Sequence, residues 1–307
     1  MRVKGVRRPG PTSGPSSRLA FAVLLASSVA TPQMAWSAAP ESAADVLRAA
    51  YTKLRPELNS NPFGRPLAMR SNEDAGSIRG EVHALVNFSL AQLSAAVTSP
   101  DRWCEIMILH LNTKFCRTRP TADGPLLIVH VGKKTPQPLS ETARVEFKYQ
   151  VESSSADFLK IALAAARGPM GTSNYQITLE AISINPSQSF LHLTYSYQFN
   201  LVSRAALGIY MSTLGSDKVG FTLAEPGAAG APVAIQGLRA LVERNTMRYF
   251  LAINAYLESA QVPQAGRLDA RLHNWFAATE TFARQLHEIE LADYLTMKHA
   301  EVLRQQI

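Results

Sequence analysis

The sequence predicts an α+β domain, an antiparallel sheet of consecutive strands followed by one long helix near the carboxy terminus. Three observations predict it. Apolar and polar residues alternate through RVEFKYQVE, NYQITLEAISI and SFLHLTYSYQFN, the period of a half-buried strand. The turn Asn185-Pro186-Ser187-Gln188 separates two of these runs, which is a hairpin signature. The stretch VAIQGLRALVERNTMRYFLAINAYLES then places Leu238, Leu241, Val242, Tyr249 and Ala252 on a broad stripe, a helix of roughly seven turns.

The first 39 residues are set aside from the fold. Arg2, Lys4, Arg7, Arg8 and Arg18 precede the apolar run LAFAVLLASSVA, and small residues surround a cut near Ser37 to Ala39. That order reads as a secretory signal peptide, so the expected location is periplasmic or secreted. The apolar run of 12 residues is shorter than the ~20 that span a bilayer as a helix. The leader holds five of the +7 formal charges and no acid, which leaves about +2 for the mature chain. The calculated pI of 9.5 therefore reflects the leader. Nucleic-acid binding needs Lys and Arg clustered on one surface, and the mature chain offers only pairs such as Lys133-Lys134.

The chain has two cysteines, Cys104 and Cys116. In an exported protein two cysteines argue for one bridge, the alternative being two separate buried thiols. A closed structural zinc site would need four ligands at short spacing, and no CxxC pair is present. Closing a loop of this length stabilises by up to ~3 kcal/mol.

The elements follow in order. Glu41 to Arg55 reads as a helix on Val46, Leu47, Ala50 and Leu54, ended by Pro56, with a polar connection after it. The main domain is expected from Ile78, where IRGEVHALVNFS alternates with Val82, Ala84 and Val86 on one side. LAQLSAAVTSP and DRWCEIMI read as two short helices broken at Pro100, with Asp101 placed for the start of the second. LHLNTKFCRT returns to period two, with Leu109, Leu111, Thr113 and Phe115 on one face and His110, Asn112, Lys114 and Cys116 on the other. A Cys104–Cys116 bridge would then fasten a helix to the strand leaving it. LLIVHVGK and ADFLKIALAAARG read as further strands. SRAALGIYMSTLG reads as a short helix capped by Ser203 and stopped by Gly215. After Pro263 and Gly266 one last helix is expected through Trp275, Phe282, Leu286, Ile289 and Tyr294. The divisions are 1–39 signal peptide, 40–77 helix and linker, 78–262 main domain and 263–307 helical extension.

From Glu81 to about Ser259, the opening strand EVHALVNFS, the SPDRW turn between helices and the terminal helix after Val233 resemble the START-like (polyketide cyclase and lipid-transfer) superfamily. The resemblance implies the helix-grip fold, a curled antiparallel sheet wrapped around the long C-terminal helix with a cavity for an apolar ligand between them. The extra N- and C-terminal helices depart from the simple form.

Candidate ligand residues follow from the rows the strands create. Tyr149, Tyr175, Tyr195 and Tyr197 lie in the inward rows, where a buried hydroxyl needs a partner and where ligand sites mix apolar walls with a few polar groups. The other reading puts them at the sheet rim, in water. Lys114, Arg144 and Arg248 suit an acidic headgroup, or else lie solvated on the outer face. Trp103 reads as a core anchor. Enzyme motifs are missing: no GxSxG, SxxK or glycine-rich phosphate loop occurs. GPMGT reads as a turn, and His287-Glu288 lacks the second histidine of a zinc-protease helix, because position 291 is leucine. His110, His130 and His192 fall on expected strands, where convergence would make a metal or general-base site. Their spacing does not show them meeting, so no catalytic residue, metal or cofactor is assigned. The reading is a non-catalytic binding or transfer protein for an apolar small molecule or lipid. Its alternatives are an envelope scaffold with a packed core, in contact with a membrane surface or envelope protein, and a cyclase- or hydrolase-like enzyme.

Overall fold

The structure, a computed structural model, describes Gly10 and residues 42–214, 218–224 and 232–306. The expected signal peptide, apart from Gly10, and the expected helix stop at Gly215 lie outside the described residues.

Helix α1 (Ala43–Asn59) opens on Ser42, whose hydroxyl accepts from the Asp45 N–H at 3.2 Å. It does not end at Pro56 as expected. Proline forfeits a single backbone bond so near the end of a helix, and Asn61 Nδ2 donates to the Glu57 and Leu58 carbonyls at 2.9 and 3.1 Å to close the last turn. The supposed linker holds a strand, β1 (Leu67–Glu73), paired antiparallel to β2 (Ser77–Val86). Helix α2 (Leu90–Val97) begins with a reciprocal Ser89–Gln92 capping box, and α3 (Pro100–Met107) has its proline in the first turn beside Asp101.

The next stretch corrects the sequence reading. Residues 108–112 form tight turns, and β3 spans only Thr113–Arg119. The pairing register shifts between Thr113 and Phe115, and such a bulge changes which residues face inward. Lys114 and Cys116 are therefore buried, while Phe115 is half-buried. The Cys104–Cys116 disulfide joins α3 to β3 across a Cα separation of 5.1 Å.

Strands β4 (Leu126–Val131), β5 (Ala143–Ser154), β6 (Phe158–Arg167), β7 (Ser173–Asn185) and β8 (Gln188–Gln198) continue antiparallel, as their alternation requires. Helix α4 (Leu201–Leu214) follows. Asn200 rather than Ser203 caps it: the Ser203 N–H donates to Asn200 Oδ1 at 2.9 Å, and the Asn200 N–H donates to Ser203 Oγ at 2.8 Å. The long helix is α5 (Gly237–Glu258). The expected single last helix is three, α6 (Arg267–Glu280), α7 (Ala283–Leu286) and α8 (Leu291–Gln305). The chain turns extended at His287, with ψ 130°, where neither proline nor glycine marks the break.

The sheet order is β1-β2-β8-β7-β6-β5-β4-β3, so the opening strand of the main domain pairs with the last. This curled sheet grips α5 on its inner face, the helix-grip arrangement. Val82, Leu193, Leu179 and Ile161 form one fully buried row across β2, β8, β7 and β6. Gly80 lies where α5 comes closest, since a Cβ there would collide with Thr246 Oγ1. On the other face α1 covers Ala68, Phe158, Ile182 and Phe190 with Leu47 and Leu58.

Helix α8 covers β3, which would otherwise be an open edge. Gln305 Oε1 accepts the Cys116 N–H at 2.7 Å, and the Tyr294 hydroxyl donates to the Leu109 carbonyl at 2.9 Å. Glu301 lies between two buried lysines, 3.0 Å from Lys114 Nζ and 2.7 Å from Lys298 Nζ. Lys298 also donates to the His110 and Thr113 carbonyls, and burial pulls its ammonium down to about 8. Removing one partner of a buried ion pair typically costs ~3–5 kcal/mol, because the other charge is left uncompensated. Glu301→Gln is therefore expected to lower unfolding stability by that amount in urea titration. Lys114→Met combined with Glu301→Leu and Lys298→Met should recover most of it. A Glu301→Gln loss under about 1 kcal/mol, the worth of a surface pair, would show that the triad does not hold α8 to β3.

Candidate functional site

The inner face of β7 and β8 carries Tyr175, Tyr195 and Tyr197, placed there by the same alternation that buries Ile177 and Leu193. Their rings touch: Tyr175 stacks on Tyr197 at 5.0 Å between centroids, and Tyr195 lies 6.0 Å from Tyr175 and 5.8 Å from Tyr197. From α5, Tyr249 meets Tyr195 at 5.4 Å and His110 at 5.1 Å. Leu241, Asn245 and Tyr249 recur about one helical turn apart, and each keeps accessible surface while Val242, Thr246 and Phe250 beside them are buried. Tyr249 points inward, onto Tyr195 and His110, and Leu241 and Tyr249 both pack against the main core.

The polar groups of this cluster are neutral. Burial holds the Tyr195, Tyr197 and Tyr249 hydroxyls above the ordinary phenol range and pushes Tyr175 up to about 12. The Tyr175 hydroxyl pairs with Thr172 Oγ1 at 2.8 Å. His110 is buried, and burial first, then the Arg248 and Lys298 charges, keep it well below the usual imidazole range. Its Nδ1 accepts the Asn112 N–H at 3.1 Å, so in the neutral ring Nε2 carries the hydrogen. The Asn245 side chain faces His110, yet Nε2 completes no hydrogen bond of normal geometry. A buried donor without an acceptor is costly. The arrangement thus offers aromatic walls and neutral donors to an uncharged oxygen.

The other expected site residues lie elsewhere. The Tyr149 hydroxyl donates to the Val97 carbonyl at 2.8 Å, which also accepts from Trp103 Nε1 at 2.7 Å. Both rings thereby close the end of α2, and Trp103 is fully buried as a core anchor. Lys114 belongs to the Glu301 triad. Arg144 is exposed and pairs with Glu146 at 2.5 Å. Arg248 is buried but bound to Glu288 at 2.8 Å and to the Leu286 carbonyl at 3.3 Å, which ties α5 to the segment after α7. Lys134 shares Glu288 at 2.7 Å, and burial pulls its ammonium down to about 8. The three histidines do not converge. His110 lies in the turn after α3, His130 bonds Thr142 Oγ1 at 2.8 Å, and His192 sits on the sheet face opposite α5 with Glu81 and Glu180. Sequence reasoning missed Asn245 and gave Tyr249 only a place in the apolar stripe. The available signal was Arg-Asn-Thr inside that stripe.

A concavity of about 420 Å³ opens between α2 and the end of α5, lined by Phe88, Ala96, Arg102, Leu257, Arg267 and Arg271 among others. Arg271 is committed there, donating to Glu105 Oε2 at 2.9 Å and Ser259 Oγ at 3.1 Å over the Tyr256 ring.

No protein-family model matches the chain, and no curated protein matches it. Solved structures similar to it include a START superfamily protein from Mycobacterium smegmatis, 12% identical over 48% of this chain and 94% of that one, with a TM-score of 0.30. A Streptomyces aromatase/cyclase is 11% identical over 71% of this chain and 96% of that one, with a TM-score of 0.31. Human StAR-related lipid transfer protein 5 is 8% identical over 56% and 91%, with a TM-score of 0.30. The assignment of the helix-grip arrangement rests on the strand order and helix placement of this chain itself.

The neutral state of His110 has a consequence for stability. Its folded value lies below the unfolded one, so below about pH 6.5 the unfolded chain binds a proton that the folded chain refuses. The contribution is intact above that pH and is lost as pH falls. His110→Asn retains an acceptor for the Asn112 N–H and abolishes the titration. Between pH 7 and pH 5, wild-type unfolding free energy should therefore fall by roughly 1–2 kcal/mol more than that of His110→Asn. Parallel curves in denaturant titration would mean that His110 charges freely in the fold.

Proposed function

We propose that the protein binds or transfers an apolar small molecule that carries an uncharged polar group, holding it between the inner face of the sheet and α5 without covalent chemistry. The observation that carries this reading is the accessible surface kept by Leu241, Asn245 and Tyr249 along α5, with Tyr249 against Tyr195 and against His110, whose Nε2 is unsatisfied. Aromatic walls supply the apolar contact, and the His110 and tyrosine donors orient a carbonyl or hydroxyl. Burying ~300 Å² of apolar ligand surface yields roughly 7 kcal/mol before the entropic cost of association, enough for reversible carriage. The neutral groups disfavour a carboxylate in this position, because a buried anion needs a charged partner.

Export is part of the proposal, supported by the basic leader with its short apolar run and by the single disulfide. Among the described residues, no helix is long and apolar enough to cross a membrane.

The test is native mass spectrometry and solvent extraction of protein exported by its own leader and purified without detergent. A discrete bound mass is expected, reduced roughly tenfold or more in Leu241→Trp, whose indole enters the same space; tenfold is ~1.4 kcal/mol. A protein with no bound mass that also takes up no apolar dye would favour the packed scaffold instead.

A further inference from the structure

The opposite face of the sheet holds a second group of side chains, independent of the inner-face cluster. Glu81 and His83 project outward from β2, and their partners across the β2–β8 register are Thr194 and His192. Glu180 projects to the same side from β7, directly opposite His192. The His83 and His192 rings stack at 4.0 Å with an angle of 7°, and Phe190 flanks His83 on the way to α1. One ligand atom from each of Glu81, His83 and His192 lies within 4.8 Å of the others. His83 Nδ1 is enclosed and has no hydrogen-bond partner.

The bonds of His192 orient it. Nδ1 meets Glu180 Oε2 at 3.3 Å, and Nε2 meets Glu81 Oε2 at 2.8 Å. A carboxylate on one ring nitrogen, with the other presented to a shared point, is how proteins fix a histidine for a metal. Imidazole and carboxylate donors suit zinc-type divalent cations, whose ligand atoms sit about 2.0–2.2 Å from the metal and hence about 3.3 Å apart. Binding would replace the hydrogen bond between His192 Nε2 and Glu81. Contraction from 4.8 Å to that spacing requires a shift of about an ångström or more, mostly a tilt of His83. Two cations border the site: Arg79 lies 3.3 Å from Glu81 and is half exposed, and Lys160 lies 3.3 Å from Glu180.

We propose that Glu81, His83 and His192 bind one zinc ion on the outer face of the sheet, with Glu180 as the positioning residue for His192. Three protein ligands leave one coordination position for water or an exogenous group. The orphaned Nδ1 of His83 is the observation that a purely structural stack leaves unexplained, because a buried polar atom otherwise finds a partner.

The test is calorimetric titration of the full exported chain, stripped with chelator, with zinc chloride alone. One equivalent is expected to bind with a micromolar or tighter dissociation constant. His83→Ala and Glu81→Gln should each weaken it about 100-fold or more and Glu180→Gln about 10–100-fold, while His130→Ala, on another strand, should leave it unchanged. Zinc should raise the unfolding temperature of the wild type and not that of Glu81→Gln. If His83→Ala fails to fold, Glu81→Gln decides, since it keeps the shape of the carboxylate. No saturable uptake at millimolar zinc, or uptake that survives Glu81→Gln, overturns the proposal.

Discussion

The structure depends on how closely α5 approaches β2. Gly80 provides the room, since any side chain there would meet Thr246. Contact at backbone distance fixes the helix against β1, β2 and β8, the elements it packs on. Fixed there, the helix leaves the middle of the inner face to be filled from the row beside Val242 and Thr246. That row is Leu241, Asn245 and Tyr249, and each of the three keeps some accessible surface. The proposed binding space beside this row would follow from anchoring the helix to one side of a curled sheet.

The terminal helices are built into this arrangement rather than attached to it. Helix α6 donates Trp275 Nε1 to the Arg248 carbonyl on α5, and the Trp275 ring stacks on Tyr294 of α8 at 5.1 Å. Helix α8 then delivers Glu301 to Lys114 on β3. Lysine on an inward face is ordinarily excluded by the desolvation of its charge. Here the carboxylate arrives from the far end of the chain, and a run of carbonyls after α3 satisfies Lys298. The disulfide and this triad hold the same corner, one by covalent closure and the other by paired charge.

Much of the fold was legible because the strands of the main domain alternate strictly. Val145, Phe147 and Tyr149, then Tyr175, Ile177 and Leu179, are all buried as their spacing requires. Strand β1 was not legible, because its apolar residues stand together at the start of LAMRSNE and polar ones follow. The inversion at Lys114 came from a bulge, which adds a residue to one strand without a composition signal. The break between α7 and α8 has no proline or glycine to announce it, and packing decides it. For the candidate site, spacing found three of the four contacting tyrosines, since a row on one strand face is local information. It did not foresee that Lys114 and Arg248 are paired with Glu301 and Glu288, because those partners lie far along the chain. No spacing rule relates His83 to His192, which meet only through strand pairing.

That pairing governs both faces at once. In the β2–β8 register, Gly80 opposes Tyr195 and Ile78 opposes Tyr197, all turned toward α5. Three positions beyond Gly80, His83 opposes His192 on the other side. Side chains alternate with period two, so a slip of one residue would turn the tyrosines out and carry the histidines and Glu81 into the apolar interior. The apolar row through Val82 and Leu193 makes that slip prohibitive, because it would expose a continuous strip of core. The outer polar cluster therefore needs no packing of its own to be held in place. It inherits its geometry from the burial on the inner face, which is why a stacked pair of histidines can persist at a half-buried position beside two carboxylates and two cations that water could otherwise claim.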